Sequence, residues 1–360
     1  MRIAQIATCS GPVREDQTGS VESLVWLLTR ELTAMGHEVT VYGCAGSESA
    51  GRTVVTLPGS YGAEGTPSDW QVCEWINLAR AVRDARAYDV VHSHVYLWGL
   101  PVQDVCSAPM VHTMHTCPYE DEALLRALYP DALVTSLSQH QWRGVGDIPP
   151  VAVIPHGIDA AQFTFRSMPE EYVCYLGRFI QGKGSLHAIA AARELGIPIV
   201  LAGPQSAYFE THIRPLVDGR AVRYVGPVDR CQRDALLGGA RALLYPLVEP
   251  EPFGLVQVEA MMCGTPVAAT AVGATPEIVE HGVTGTLAAD SSGIAKAATQ
   301  AMGLDRARVR ARALELFDAR RMAEQYVHVY ERAVAADQRS QTKLDVPGRN
   351  GGRDENRKEF

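Results

Sequence analysis

The sequence predicts an α/β protein made of two doubly wound parallel sheets in series. Short apolar runs that end in polar residues alternate with helical stretches, which is the pattern of strands joined by crossover helices. That rhythm breaks at "DAAQFTFRSMPEE", residues 159–171, and then restarts. A chain of 360 residues is long enough to give each half its own core.

The elements follow in order. "RIAQIAT" (2–8) reads as the first strand. An amphipathic helix runs from about Ser20 to Met35, closed by Gly36, and "HEVTVYG" completes a βαβ opening. "YDVVHSH" (88–94), "PMVHTMH" (109–115), "DALVTSLS" (131–138) and "VAVIPHG" (151–157) continue the first sheet. The second is predicted from "YVCYLGR" (172–178), "IPIVLAG" (197–203), "VRYVG" (222–226), "ARALLYP" (240–246) and "TPVAAT" (265–270). A last helix is expected from about Asp318 to Ala335, and the polar segment 337–360 is expected to be disordered.

Composition narrows the function. Hydrophobic residues at 46% and charged residues at 21% fit an ordinary soluble chain. A net charge of −8 disfavours charge-driven binding to nucleic acid or anionic membranes. The eight Cys form no CxxC pair, as expected of buried thiols in a reducing cytoplasm. "MRIAQIATCSG" lacks the apolar core of a signal peptide, and no apolar run approaches a membrane span. A cytoplasmic location is the expectation.

Open parallel sheets bind ligands beyond the carboxyl ends of their strands, so polar residues placed there are the candidates. In "EPEPFGLVQVEAMMCG" (249–264), Glu251 stands between two prolines and Glu259 lies a turn into the following helix. The amides of Phe253, Gly254 and Leu255 fall at that helix's N-terminus. Two carboxylates beside free amides suit a polyol that carries phosphate. The same acids could also simply complement a helix dipole, worth at most about 1 kcal/mol. "LGRFIQGKGS" (176–185) resembles a phosphate-binding Walker loop, but Gly184 stands where the metal-holding hydroxyl is needed. Gly19 and Ser20 open the first helix, where amides can meet a phosphate or Ser20 can act as an N-cap. Among the histidines at strand ends, His92, His94 and His112 read as structural and His115 as a site residue. The acids Glu120, Asp121 and Glu122 read as a helix start, and Glu277 as a helix-start acid lining the cleft without a catalytic role.

The stretch "EPEPFGLVQVEAMMCGTPVAATAVGATPEIVEHGVTGTL" resembles the signature of glycosyltransferase family 4, retaining enzymes of the GT-B fold. It has two Glu separated by seven residues, Phe-Gly-Leu after the first, Gly-x-Pro-Val after the second, then Pro-Glu and Gly-x-x-Gly. Ala274 replaces one glycine of the usual pair, and Ser20 replaces a glycine in the first loop. The resemblance spans about residues 1–335. It implies two Rossmann-like domains facing a cleft. Residues 1–163 would bind the acceptor and 164–317 the nucleotide-sugar donor, with a helix over 318–336 crossing back to the first domain.

The resemblance assigns Glu251 to the donor sugar hydroxyls, Glu259 to the ribose diol, and the amides of Phe253, Gly254 and Leu255 to the sugar and diphosphate. Arg178 and Lys183 would grip the diphosphate, and His115 would lie against the sugar. The chain has no Asp-x-Asp triplet, so no metal is expected and no cofactor beyond the nucleotide sugar as co-substrate. The activity implied is transfer of a hexosyl group, with retention, to a hydroxyl of a soluble acceptor. A nucleotide-sugar epimerase or phosphorylase on the same fold, and a non-catalytic nucleotide-sugar binder, are the alternatives. Arg-rich composition, a short acceptor domain and net acidity also resemble actinobacterial natural-product glycosyltransferases, including those of oligosaccharide antibiotics.

Overall fold

A computed structural model describes residues 1–16, 20–143, 146 and 148–344, with only the backbone described for Ser20 and for 340–344. The first sheet has seven parallel strands in the order β3-β2-β1-β4-β5-β6-β7: β1 Arg2–Ile6, β2 Glu38–Cys44, β3 Arg52–Leu57, β4 Val90–Ser93, β5 Met110–Thr113, β6 Leu133–Ser136 and β7 Ala152–Val153. The second has six in the order β10-β9-β8-β11-β12-β13: β8 Val173–Leu176, β9 Ile199–Ala202, β10 Val222–Tyr224, β11 Leu243–Tyr245, β12 Val267–Thr270 and β13 Gly285–Ala288. The helices are α1 Ser20–Ala34, α2 Trp70–Arg83, α3 Glu120–Leu128, α4 Ser185–Leu195, α5 Arg230–Gly239, α6 Leu255–Met262, α7 Thr275–Ile278, α8 Ile294–Ala301, α9 Arg306–Phe317 and α10 Ala319–Leu344. In both sheets the strand order reverses beside the first strand, β1/β4 in one and β8/β11 in the other. Ligands bind at that point in doubly wound folds.

The sheets form because their strands are apolar on both faces. β4, β5, β9 and β12 are buried at every position, as parallel strands covered by helices must be. The helices supply the cover through the spacing of their apolar residues. Leu24, Leu28 and Leu32 form one stripe on α1 and meet Met322, Tyr326, Val329 and Tyr330 of α10 in one core with Ile3, Val39, Val90 and Val111. The last helix thus leaves the second domain and packs on the first sheet.

Three features depart from the sequence reading. The edge strands β3 and β13 were not foreseen. β3 is half exposed along most of its length, so it lacks a clear apolar run, and β13 begins at the last glycine of the Gly-x-x-Gly motif, which reads as a turn. The third departure is α10, which runs to Leu344 instead of stopping near 336. It takes in the first residues of the segment expected to be disordered, because no Gly or Pro interrupts the sequence there. Gly19 lies outside the described residues.

The second domain is locked from within by Arg306. Its guanidinium donates to the carbonyls of Arg166 (2.7 Å), Ala240 (2.9 Å) and Gly238 (2.7 Å) and to Thr265 Oγ1 (2.7 Å). Neutral acceptors do not offset its burial, which pushes its pKa below the usual guanidinium range.

Candidate functional site

The cleft is closed at several points by contacts between the two domains. The Glu277 carboxylate accepts the backbone amides of Gln139 and His140, each at 2.7 Å. Ser138 Oγ donates to the Pro252 carbonyl at 2.7 Å. Arg230 reaches Glu15 at 3.0 Å. The sequence placed Glu277 in the cleft; the structure gives it a definite task, holding the first domain against α7.

The strand ends of the second domain carry the charged residues. Lys183 follows β8 in the loop before α4, and its Nζ pairs with Glu251 Oε2 in the loop after β11. The two loops are forced together. The Gly182 carbonyl accepts the amides of Val248 (2.9 Å) and Glu249 (3.1 Å). At Gly184, with φ +69°, a Cβ would come within 1.9 Å of the Pro246 carbonyl oxygen. The other carboxylate oxygen, Glu251 Oε1, is buried without a partner. Such an acceptor costs stability unless a ligand hydroxyl meets it. Gly254 caps α6 at φ +94°, and a Cβ there would lie 2.4 Å from Gln257 Nε2 and 3.1 Å from Glu251 Oε1. The amides of Phe253, Gly254 and Leu255 donate no hydrogen bond among the described residues. Arg178 lies exposed two residues beyond β8.

Glu259 lies one turn further along α6, 8% exposed, and pairs with Arg233 at 2.8 Å. Burial raises its pKa, and the Arg233 guanidinium pulls it back. Arg233, on α5, was not singled out in the sequence, since nothing local to it marks a partner 26 positions away. Ala274, where the family pattern has glycine, adopts ordinary helical angles of φ −79° and ψ −6°, so the substitution needs no backbone adjustment. The glycine that is required is Gly273, at φ +65°, where a Cβ would press within 2.7 Å of the Glu251 amide.

The first domain's strand ends carry imidazoles. His115 Nε2 lies 3.0 Å from His94 Nδ1. Its ring stacks on His156 at 5.6 Å between centroids, and His156 meets the edge of Phe253 at 5.0 Å. His115 Nδ1 and His156 Nδ1 are both buried without a partner. His156 was missed: it sits in "VAVIPHG", which reads as strand, and only the approach of Phe253 from the other domain brings it to the cleft. Burial, then His94 and His156, push the His115 pKa well below its ordinary value. Burial alone takes His156 to about 4. These rings are neutral at pH 7. Glu22 on α1 is 1% exposed and accepts Thr8 Oγ1 at 2.6 Å and the Ser10 hydroxyl, fixing the loop after β1.

Comparison with known proteins shows the family. Residues 21–162 match glycosyltransferase family 4 and residues 159–313 match the group 1 glycosyl transferases. A glycogen synthase of Mycobacterium tuberculosis is 32% identical over 301 residues, covering 72% of each chain. The chain belongs to the GT-B glycosyltransferases. Among solved structures, this glycosyltransferase is similar to AviGT4, a glycosyltransferase involved in avilamycin A biosynthesis, with a TM-score of 0.71, 26% identity, and coverage of 93% of this chain and 98% of that one. It also shares its fold with Anabaena HepE, solved in complex with UDP-glucose, with a TM-score of 0.67, 19% identity, and coverage of 94% and 100%. The glycosyltransferase has no helix long and apolar enough to cross a membrane among its described residues.

Proposed function

We propose that this glycosyltransferase moves a hexosyl group from a nucleoside-diphosphate sugar to a hydroxyl of a soluble, sugar-like acceptor, with retention and without a metal. The observation that carries the reading is the Lys183–Glu251 pair beside the unpartnered Glu251 Oε1. One loop offers a cation for the leaving diphosphate, and the facing loop offers an acceptor for sugar hydroxyls. The amides of Phe253, Gly254 and Leu255 extend that anion site, with Arg178 at its exposed rim. Glu259, held by Arg233, takes the ribose diol. Gly19 and Ser20 are assigned to the donor as well.

No carboxylate is assigned as a nucleophile. Retention is attributed to front-face attack, with the departing phosphate assisting the incoming hydroxyl. The neutral His115 lies against the reacting sugar, where an imidazolium would oppose the developing oxocarbenium charge.

The acceptor is assigned to the first domain, as a ring-bearing molecule. Trp98 stacks on Trp75 at 6.2 Å and 6° between planes, and on Trp70 at 5.2 Å. Trp70 and Trp75 are 38% and 42% exposed. Tyr96 joins them with φ +43°, an unusual angle for a non-glycine residue. Exposed aromatic faces suit the C–H face of a pyranose. Trp70 and Trp75 lie on α2, and Tyr96 and Trp98 lie on the loop that starts at His94. The likeness to AviGT4 supports a natural-product acceptor of the oligosaccharide-antibiotic kind.

The deciding experiment is a donor screen by thermal shift, followed by turnover with and without EDTA. A ligand bound only by the folded chain raises Tm. Product of unchanged anomeric configuration, formed at the same rate in EDTA, is expected. Inversion, or loss of all activity in EDTA, refutes the mechanism.

A further inference from the structure

Behind His115 runs a continuous buried chain of hydrogen bonds, and its direction can be read from one end. The His112 carbonyl can only accept, and it takes Thr135 Oγ1 at 3.3 Å. Thr135 therefore accepts from the Thr113 hydroxyl, 2.5 Å away. Thr113 in turn accepts from His92 Nε2 at 2.7 Å, so neutral His92 has a bare Nδ1. That nitrogen accepts the Tyr330 hydroxyl at 2.7 Å. The Tyr330 oxygen is then free to take the Gln5 amide N–H at 3.1 Å, which turns the Gln5 carbonyl toward His94 Nε2, 2.7 Å away. His94 must carry its proton on Nε2, leaving Nδ1 to accept from His115 Nε2.

We propose that Gln5, held by Tyr330 of the last helix, sets the tautomer of His115, so that its proton sits on Nε2 and its Nδ1 is offered as an acceptor to a hydroxyl of the bound sugar. The second half of this statement rests on the reading of the cleft as a donor site; the first half stands on the hydrogen bonds alone. His115 Nδ1 is buried without a protein partner, as an acceptor awaiting a hydroxyl would be. Gln5, His94 and Tyr330 are positioning residues. They act through His115, as the partner of a metal-bound imidazole acts through it. The arrangement also makes α10 a part of the site, although Tyr330 is far from the cleft residues in sequence. The rings are kept neutral by burial, which lowers the pKa of His92 and His94 well below the ordinary value.

The test is a long-range imidazole ¹⁵N–¹H spectrum of the full chain labelled at histidine, at pH 7.5, with His115 assigned from His115→Gln. Wild type should show His115 protonated on Nε2 and bare at Nδ1. Tyr330→Phe, which removes only a hydroxyl, lets the Gln5 amide turn over and should give mixed tautomers at His94 and His115; Gln5→Leu should do the same. Protonation of wild-type His115 on Nδ1 overturns the proposal, and so does an unchanged spectrum in both variants. These spectra need no substrate, so they separate this inference from failure of the donor reading, which would appear as absence of turnover with every nucleotide sugar. With the sugar nucleotide that gives turnover, the Nδ1 signal should move, and with its nucleoside diphosphate alone it should not. Equal movement with both removes the sugar hydroxyl as the partner. Tyr330→Phe should lose about tenfold in kcat/KM, as one hydrogen bond is worth, with nucleoside diphosphate affinity unchanged.

Discussion

The strand ends of the first sheet carry imidazoles, whereas those of the second carry ammonium, guanidinium and carboxylate groups. Both sheets are parallel, and each reverses strand order beside its first strand. The difference therefore lies in what each domain places on equivalent scaffolds. His94, His112 and His156 are at most 4% exposed, and their pKa values are lowered by burial. Lys183 and Glu251 are paired and remain partly open, each 18% exposed at the side chain. One side of the cleft is built to stay uncharged and to exchange hydrogen bonds. The other keeps charge where a diphosphate would come and go. A glycosyl transfer asks for this division, since the leaving group gains charge on one side while the acceptor hydroxyl is neutral on the other.

The charged side should break most severely. Removing the Lys183 ammonium leaves Glu251 unpaired and, in the proposed site, takes away the cation that meets the developing diphosphate charge. Lys183→Ala is expected to lose roughly 10²–10³-fold in kcat/KM, whereas Lys296→Ala, on the exposed face of α8, should stay near wild type. Steady-state kinetics on both variants check this. Similar rates for the two would place Lys183 outside the chemistry.

The neutral side should break through pH instead. In the unfolded chain histidine titrates near 6.5, but in the folded protein His156 titrates at about 4 and His112 at about 3. Between those values the unfolded chain binds more protons, so stability falls as pH falls. His156 alone should cost about 3 kcal/mol between pH 6.5 and pH 4. Glu74 works the other way. Its carboxyl is fully buried and burial raises its pKa to about 8, so its contribution is largest below about pH 4.5 and is lost as pH rises toward 8. Urea unfolding from pH 7 to pH 4.5 should show the histidine slope dominating, and His156→Gln should flatten it. A flat wild-type curve would mean these rings are not held neutral.

Much of this division was legible in the sequence, and the limits are instructive. Glu251, Glu259, Arg178 and Lys183 could be picked out because each lies in a motif whose spacing is local: a strand end, a loop and a helix start. Ala274 departs from that motif without consequence, because its helical φ needs no glycine. The partners could not be read. Arg233 reaches Glu259 from another helix, His156 reaches the cleft only when Phe253 packs on it, and Tyr330 touches Gln5 across nearly the whole chain. His92 and His94 looked structural one by one, and only the assembled sheet shows that they connect His115 to α10. The edge strand β3 was missed because it is covered on fewer sides and needs less apolar sequence, and β13 because it starts at a glycine of a turn motif and is only four residues long.

Within the charged side, the two carboxylates should fail differently. Glu251→Gln keeps the shape but removes charge beside a developing oxocarbenium ion, so its loss should fall mainly on kcat. If Glu259 holds the ribose, which does not react, its contact is equal in ground and transition states, so Glu259→Gln should act on donor affinity. Losses of about ten- to a hundredfold are expected in each case. Thermal melts must show both variants folded. Loss of turnover in Glu259→Gln with nucleotide affinity intact would reverse the two roles.

The smallest effect should come from the aromatic patch, and it bears most directly on what the neutral side is for. If Trp75 and Trp98 form a floor for a pyranose acceptor, truncating either ring removes one stacking contact, worth about 1 kcal/mol. The loss should appear as a rise of about fivefold in acceptor KM. Slow hydrolysis of the donor, in which water replaces the acceptor, should be unchanged, because neither ring is among the residues assigned to the donor. Trp75→Ala is the cleaner variant, since its side chain is 42% exposed and its loss opens little of the core. Trp98 packs against Trp75 at 6° between planes, so Trp98→Ala also unseats its neighbour, and the double variant should cost less than the sum of the two. A change in donor hydrolysis would place the rings on the donor side. An unchanged acceptor KM in both single variants would leave the patch without a part in acceptor binding.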